Sequence, residues 1–263
     1  VGTGPMRYQW FLEGQPIPGK TNSTLAFSRV SRTNEGDYSL VVSNALGTAA
    51  SRVARLRVVP PPVSLTARLQ PGSQPFQLRY RLFIPSAASN SPNGRFPLVL
   101  SLHGSGERGS DNLSQLSSWP QSLVFVSYTN QTRFPAFFVA PQCPQGWDWN
   151  QPDMIEKLFS LLDQLMTEFP IDPDRLHVTG LSMGGFGSWE LPRRRRPFFA
   201  AAIPIAGGGS MLDAADLRDL AIWNFHSATD ANVPVTFSRD MVQAVRDVGG
   251  RPIYTEYASG GHE

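Results

Sequence analysis

Two short runs of unbroken apolar character, PLVLSL at 97 to 102 and AFFVA at 136 to 140, constrain the fold of this chain more than any other feature. Neither alternates between apolar and polar residues, so neither offers a face to water. Strands buried on both faces belong to sheets that carry helices on either side. The surrounding sequence supplies those helices. From Pro152 to Phe169, apolar residues at 154, 155, 158, 161, 162, 165 and 169 fall on one helical stripe. Strand and helix then alternate: a strand over 175–179, a helix from Met183, strands over 200–205 and 221–225, a helix through Phe237, Met241 and Val245, and a last strand over 253–257. Phe76 to Ile84 alternates as an antiparallel strand would. The expected fold class is α/β, a doubly wound sheet.

Residues 1–59 follow another pattern, with short alternating runs set between turn clusters. Tyr8 to Leu12, Leu25 to Phe27, Tyr38 to Val42 and Arg52 to Val59 are spaced like the strands of a small all-β sandwich. Pro60-Pro61-Pro62 is a stiff boundary. The expected organisation is therefore a β domain over 1–59, a proline-rich linker over 60–63 and an α/β domain over 64–263.

Composition narrows the function. With 23 basic and 21 acidic residues the net charge is +2, too weak a field to argue for nucleic acid or an anionic membrane. No run approaches the roughly 18 apolar residues of a membrane-spanning helix. The single cysteine, Cys143, can close no disulfide within the chain and has no cysteine neighbour with which to hold a metal. No metal or organic cofactor is implied.

Chemistry enters at Gly180-Leu181-Ser182-Met183-Gly184, a G-x-S-x-G pattern between a predicted buried strand and a predicted helix. A strand-turn-helix of this kind forces the serine onto a tight elbow with its hydroxyl exposed, and glycines flank it where side chains would clash. A serine hydroxyl needs an adjacent base, itself oriented by a carboxylate. The loop after the strand ending at Phe225 supplies Asp230, and the loop after the last strand supplies His262. The order serine, acid, histidine is that of α/β-hydrolases. An oxyanion hole requires two backbone N–H donors. Met183, next to the serine, and Ser105, in the loop after PLVLSL, are the candidates.

The motifs LHGSGERG at 102–109 with Asn112 behind it, APQCP at 140–144 followed by Trp149, IDPDRLHVTGLSMGG at 171–185 and GGH at 260–262 together resemble the α/β-hydrolase superfamily. More narrowly, they resemble the group of polyhydroxybutyrate depolymerases, feruloyl esterases and prolyl-oligopeptidase-type catalytic domains. The resemblance implies a serine esterase with Ser182, Asp230 and His262 as triad, exported, and acting on a polymer-linked ester such as a feruloylated or acetylated polysaccharide or a polyester. It also implies that His103 braces the oxyanion loop. Ser227 is a departure, since such enzymes often have glycine after the strand-end histidine. A C-terminal helix beyond His262 is expected from the same resemblance. Trp10, Gly36-Asp37-Tyr38 and the run Ser43 to Gly47 resemble part of an immunoglobulin-like domain, with Trp10 as the core tryptophan packed between its sheets, Tyr38 as its tyrosine corner and Leu40 where antibody-type domains carry cysteine. The first two strands of such a domain would precede this sequence.

Other residues have plainer readings beside these. Asp213, Asp216 and Asp219 precede their strand and suit a solvated or capping cluster better than the acid of a triad. His177 is expected to be packed in its strand, and His226 to pack beneath the acid loop. Trp149 is assigned to the substrate cleft as an aromatic wall, with plain packing open as the alternative. Glu107 is assigned to the same cleft, with loop bracing open. Arg193 to Arg196 suit the C-terminus of a helix through its dipole. A peptidase of the prolyl-oligopeptidase type and a non-catalytic binding protein with a hydrolase fold remain as alternative functions.

Overall fold

The computed structural model describes residues 4–27, 34–56, 65–72, 76–91, 93–117 and 120–262. The chain divides into two compact units, Val1–Pro61 and Pro62–Glu263. The expected linker over 60–63 lies outside the described residues.

In the first unit, β1 (Arg7–Leu12), β2 (Gln15–Pro16), β3 (Gly36–Asn44), β4 (Gly47–Ala50) and β5 (Ala54–Leu56) form one antiparallel sheet. β3 is its centre, pairing with β1, β4 and β5. Tyr38 is buried, and its hydroxyl donates to the Asn34 carbonyl at 2.8 Å, the backward bond expected of a tyrosine corner. Two expectations change. Leu25 to Phe27 form no strand, although the Phe27 ring meets Tyr38 edge-on at 5.9 Å. Trp10 is only half-buried, its indole N–H bonded to the Asn22 carbonyl, because no second sheet among the described residues covers it.

The second unit is built on eight strands. They are β6 (Thr66–Leu69), β7 (Arg79–Phe83), β8 (Phe96–Leu102), β9 (Phe137–Gln142), β10 (Ile171–Leu181), β11 (Ala201–Ile205), β12 (Ala221–Ser227) and β13 (Ile253–Tyr257). Their order across the sheet is β13-β12-β11-β10-β8-β9-β7-β6. β7 runs antiparallel to both its neighbours, and the strands from β9 through β8 to β13 are mutually parallel. The helices are α1 (Ser86–Asn90), α2 (Ser114–Ser117), α3 (Tyr128–Arg133), α4 (Pro152–Glu168), α5 (Met183–Arg194) and α6 (Thr236–Asp247).

The apolar runs are buried on both faces, as their lack of alternation requires. Leu98, Leu100 and Leu102 of β8 pack with Leu158, Leu161, Leu162 and Leu165 of α4, while Val99 points the other way, towards Phe83, Val126 and Phe138. Each of those leucines contributes roughly 2 kcal/mol of hydrophobic burial. On a third front, α6 places Met241, Val242 and Val245 against Ile222 and Trp189. β10 is longer than its apolar segment suggests because Ile171 pairs with Phe96 ahead of an irregularity, before regular pairing resumes at Leu176. The parallel strands therefore end together, and the loops after β8, β10, β12 and β13 gather at the carboxyl edge of the sheet, where open α/β sheets bind ligands.

Candidate active site

Ser182 stands between β10 and α5 with φ 58° and ψ −118°, a left-handed conformation that costs a non-glycine residue about 1–3 kcal/mol. Its neighbours impose the strain. A Cβ on Gly184 would lie 2.0 Å from the Leu102 carbonyl oxygen, and one on Gly180 would lie 2.4 Å from the Gly184 oxygen. Only glycine lets α5 start this close to β8 and β10. The Ser182 N–H donates to the Ile205 carbonyl at 3.0 Å, and the Phe186 N–H to the Ser182 carbonyl at 3.0 Å, so the turn is anchored on both sides.

The loop after β8 lies against this elbow. The position of a Gly104 Cβ would be 3.7 Å from the Ser182 Cβ. His103, 1% exposed, holds the loop in place: Nδ1–H donates to the Gly104 carbonyl at 2.6 Å, and Nε2 accepts the Cys143 N–H at 2.9 Å. Those partners require the neutral ring, and burial drives its pKa down to about 4, with the nearby Arg108 adding to the effect against the Gly104 hydrogen bond. Ser105 opens a short 3-10 turn over Ser105–Glu107, and Met183 is the first residue of α5, whose opening amides have no carbonyl within the helix to receive them. Ser105, Met183, Phe186, Arg108, Asp148 and Asn150 line one cleft. Arg108 is tied down there by Asp148 and by the carbonyls of Trp147 and Ser105.

Two cleft assignments change. Trp149 is fully buried, donates its indole N–H to the His103 carbonyl at 2.9 Å and meets the His103 ring edge-on at 5.0 Å. It is a packing residue behind the loop after β8, with no surface left to offer a substrate. Glu107 keeps 13% of its side chain exposed and turns its carboxylate towards the loop, 3.8 Å from His103 Nδ1, which is the bracing position. Asp148 and Asn150, on the same loop as Trp149, take the place at the cleft that the sequence reading gave to the tryptophan.

Asp230 and His262 meet on the loops after β12 and β13. His262 Nδ1 donates to Asp230 Oδ2 at 2.7 Å, and Oδ1 accepts the N–H groups of Asn232 and Val233 at 2.9 Å each. The Asp230 carboxylate has no exposed surface. Burial pushes its pKa up, yet the hydrogen bonds from His262, Val233 and Asn232 outweigh it and hold the carboxyl below its ordinary value. His226 is buried beneath the acid loop, as its sequence position suggested. Its Nε2 donates to the Val233 carbonyl at 3.0 Å and lies 3.3 Å from Asp230 Oδ2. Its Nδ1 bonds Ser238 Oγ at 2.7 Å, which in turn donates to the Gly207 carbonyl.

The remaining candidates are accounted for elsewhere. Arg193 pairs with Glu190 and Asp213, Arg194 with Glu190, Arg195 with Asp163 and Arg196 with Asp216, so the arginine run is an ion-pair cluster rather than a free helix end. His177 is half-buried in β10, and burial lowers its pKa. Cys143 is buried with its thiol against the Trp147 carbonyl, and burial raises its pKa to about 12, which makes it inert as a nucleophile.

The fold has counterparts among known proteins. A thermostable esterase of known structure superposes with a TM-score of 0.72 at 29% identity, covering 94% of this chain and 71% of that one. A ferulic acid esterase superposes at 0.60 over 75% of this chain and 91% of that one, and at 17% identity the likeness is one of fold. In sequence, poly(3-hydroxyalkanoate) depolymerase C of Paucimonas lemoignei is 28% identical over 150 residues, 52% of this chain and 33% of the depolymerase. The chain thus spans about a third of the length of that curated relative. No family model matches. Strand order and these likenesses together give the second unit the α/β-hydrolase fold.

Proposed function

We propose that this chain is a carboxylic ester hydrolase working through Ser182, His262 and Asp230. The observation that carries the reading is Ser182 at positive φ on a strand-helix elbow, in a sheet whose acid and base loops already join Asp230 to His262 at 2.7 Å. In this mechanism His262 Nε2 takes the Ser182 proton as Oγ attacks the ester carbonyl carbon. The Nδ1–H bond to Asp230 steadies the imidazolium that forms. The amides of Met183 and Ser105 receive the oxyanion. His262 then returns the proton to the departing alcohol, and water releases the acid from the acyl-enzyme by the same route.

The likeness to a depolymerase and to esterases supports a polymer-linked ester as substrate and an extracytoplasmic location. No helix among the described residues is long and apolar enough to cross a membrane. The first unit, with one sheet among its described residues and the Tyr38–Asn34 bond, is read as part of an immunoglobulin-like module acting as a spacer. A panel of p-nitrophenyl esters beside peptidyl anilides tests the activity: esters alone should turn over. Preferential cleavage of the anilides would transfer the site to a peptidase, and cleavage of neither by the folded protein would make it non-catalytic.

A further inference from the structure

Ser227 is the place where this chain departs from the glycine that its resemblance leads one to expect, and the structure gives its hydroxyl something to do. Ser227 Oγ donates to the Gly260 carbonyl at 2.9 Å and accepts the Thr229 N–H at 3.3 Å. Thr229 Oγ1 donates to the same carbonyl at 2.9 Å and accepts the Gly260 N–H at 3.2 Å. Both hydroxyls therefore donate from the loop that carries Asp230 to the loop that carries His262, and Thr229 Oγ1 also accepts across the gap, whereas Ser227 Oγ accepts within its own loop. One residue, Gly261, separates Gly260 from His262, and residues 258–261 are exposed. Apart from the Ala228 N–H to Tyr257 carbonyl bond at the strand end, the two hydroxyls and the Asp230–His262 pair are what join these loops among the described residues.

We propose that Ser227 and Thr229 form a latch that positions the base. By gripping both polar groups of Gly260 they set where the His262 backbone enters the site, and the imidazole is then aligned on Ser182 before substrate arrives. The proposal rests on the ester-hydrolase reading. It concerns positioning residues, which act through His262 and touch no reacting atom. Displacing a catalytic group by about 1 Å can cost on the order of 10²-fold in rate, so a latch outside the cleft acts on kcat with little effect on KM.

The test compares the parent with Ser227→Gly, Thr229→Val and the double variant, using a p-nitrophenyl ester, with thermal unfolding to establish folding. The expected losses in kcat are about tenfold for each single variant and about 10²-fold for the double, with KM within about twofold. Thr229→Ser, which keeps the hydroxyl, should keep kcat within about threefold of the parent. A downfield proton resonance from His262 Nδ1–H, assigned by its loss in Asp230→Asn, should be sharp in the parent and in Thr229→Ser and broadened in the double variant. That signal reads the latch without turnover. An inactive parent, or a Ser182→Ala variant as active as the parent, would sink the ester-hydrolase reading and leave the resonance to judge the latch. A folded double variant with unchanged kcat or an unchanged resonance would overturn the latch itself.

Discussion

Ser182 and the loop opposite it are held where backbone touches backbone: a methyl group at Gly184 would come within 2.0 Å of the Leu102 oxygen, and His103 and Trp149 fill the space behind with no more than 1% exposure. Asp230 and His262, the proposed acid and base, stand on loops that hydrogen bonds join. Packing over-determines Ser182, the proposed nucleophile, and can carry its strained φ. Hydrogen bonding defines His262, the proposed base, and each bond there counts separately. Substitutions should therefore fail differently on the two sides, by losing structure on the first and rate on the second.

The largest expected effect lies on the hydrogen-bonded side. Asp230→Asn should lower kcat by roughly 10³–10⁴-fold, because the amide cannot hold His262 in the required tautomer. Steady-state kinetics of the folded variant checks this, and a loss below tenfold would remove Asp230 from the mechanism. On the packed side, Gly184→Ala should cost about 3 kcal/mol or more in stability through overpacking against backbone. Chemical denaturation reads it; a variant that unfolds like the parent but only works more slowly would blur the contrast between the two sides.

A smaller and more diagnostic effect concerns pH. His103 has a pKa of about 4 when folded against about 6.5 when exposed, so the unfolded chain binds the extra proton between these values. The stabilisation is complete above the upper value and is lost as pH falls towards the lower one, amounting to about 3 kcal/mol. Unfolding measured from pH 7 to 4 should show the slope, and His103→Asn, which cannot take up the proton, should flatten it. An equal slope in that variant would place the acid sensitivity elsewhere.

Much of this is legible in the sequence. PLVLSL and AFFVA could only be strands covered on both faces, the stripe from Met154 to Leu165 could only be one face of a helix, and the elbow glycines were required by the turn they flank. What the sequence hid depends on contacts between distant segments. A tryptophan near a cleft looks the same whether it walls a substrate or, like Trp149, packs behind a loop. The arginines at 193–196 reveal their partners only when Asp163 and Asp216 are brought beside them. The approach of His226 to Asp230 had a local signal, a histidine at a strand end four residues ahead of the acid. The bond from Ser227 to Gly260 spans 33 residues and had none.

The central claim is that Ser182 is the nucleophile of an ester hydrolase. A fluorophosphonate incubated with the folded protein and followed by intact mass tests it most directly, since one stoichiometric adduct should form, map by peptide analysis to Ser182, and vanish in Ser182→Ala together with ester hydrolysis. A folded protein that takes up no label, or that is labelled equally after Ser182→Ala, would contradict it.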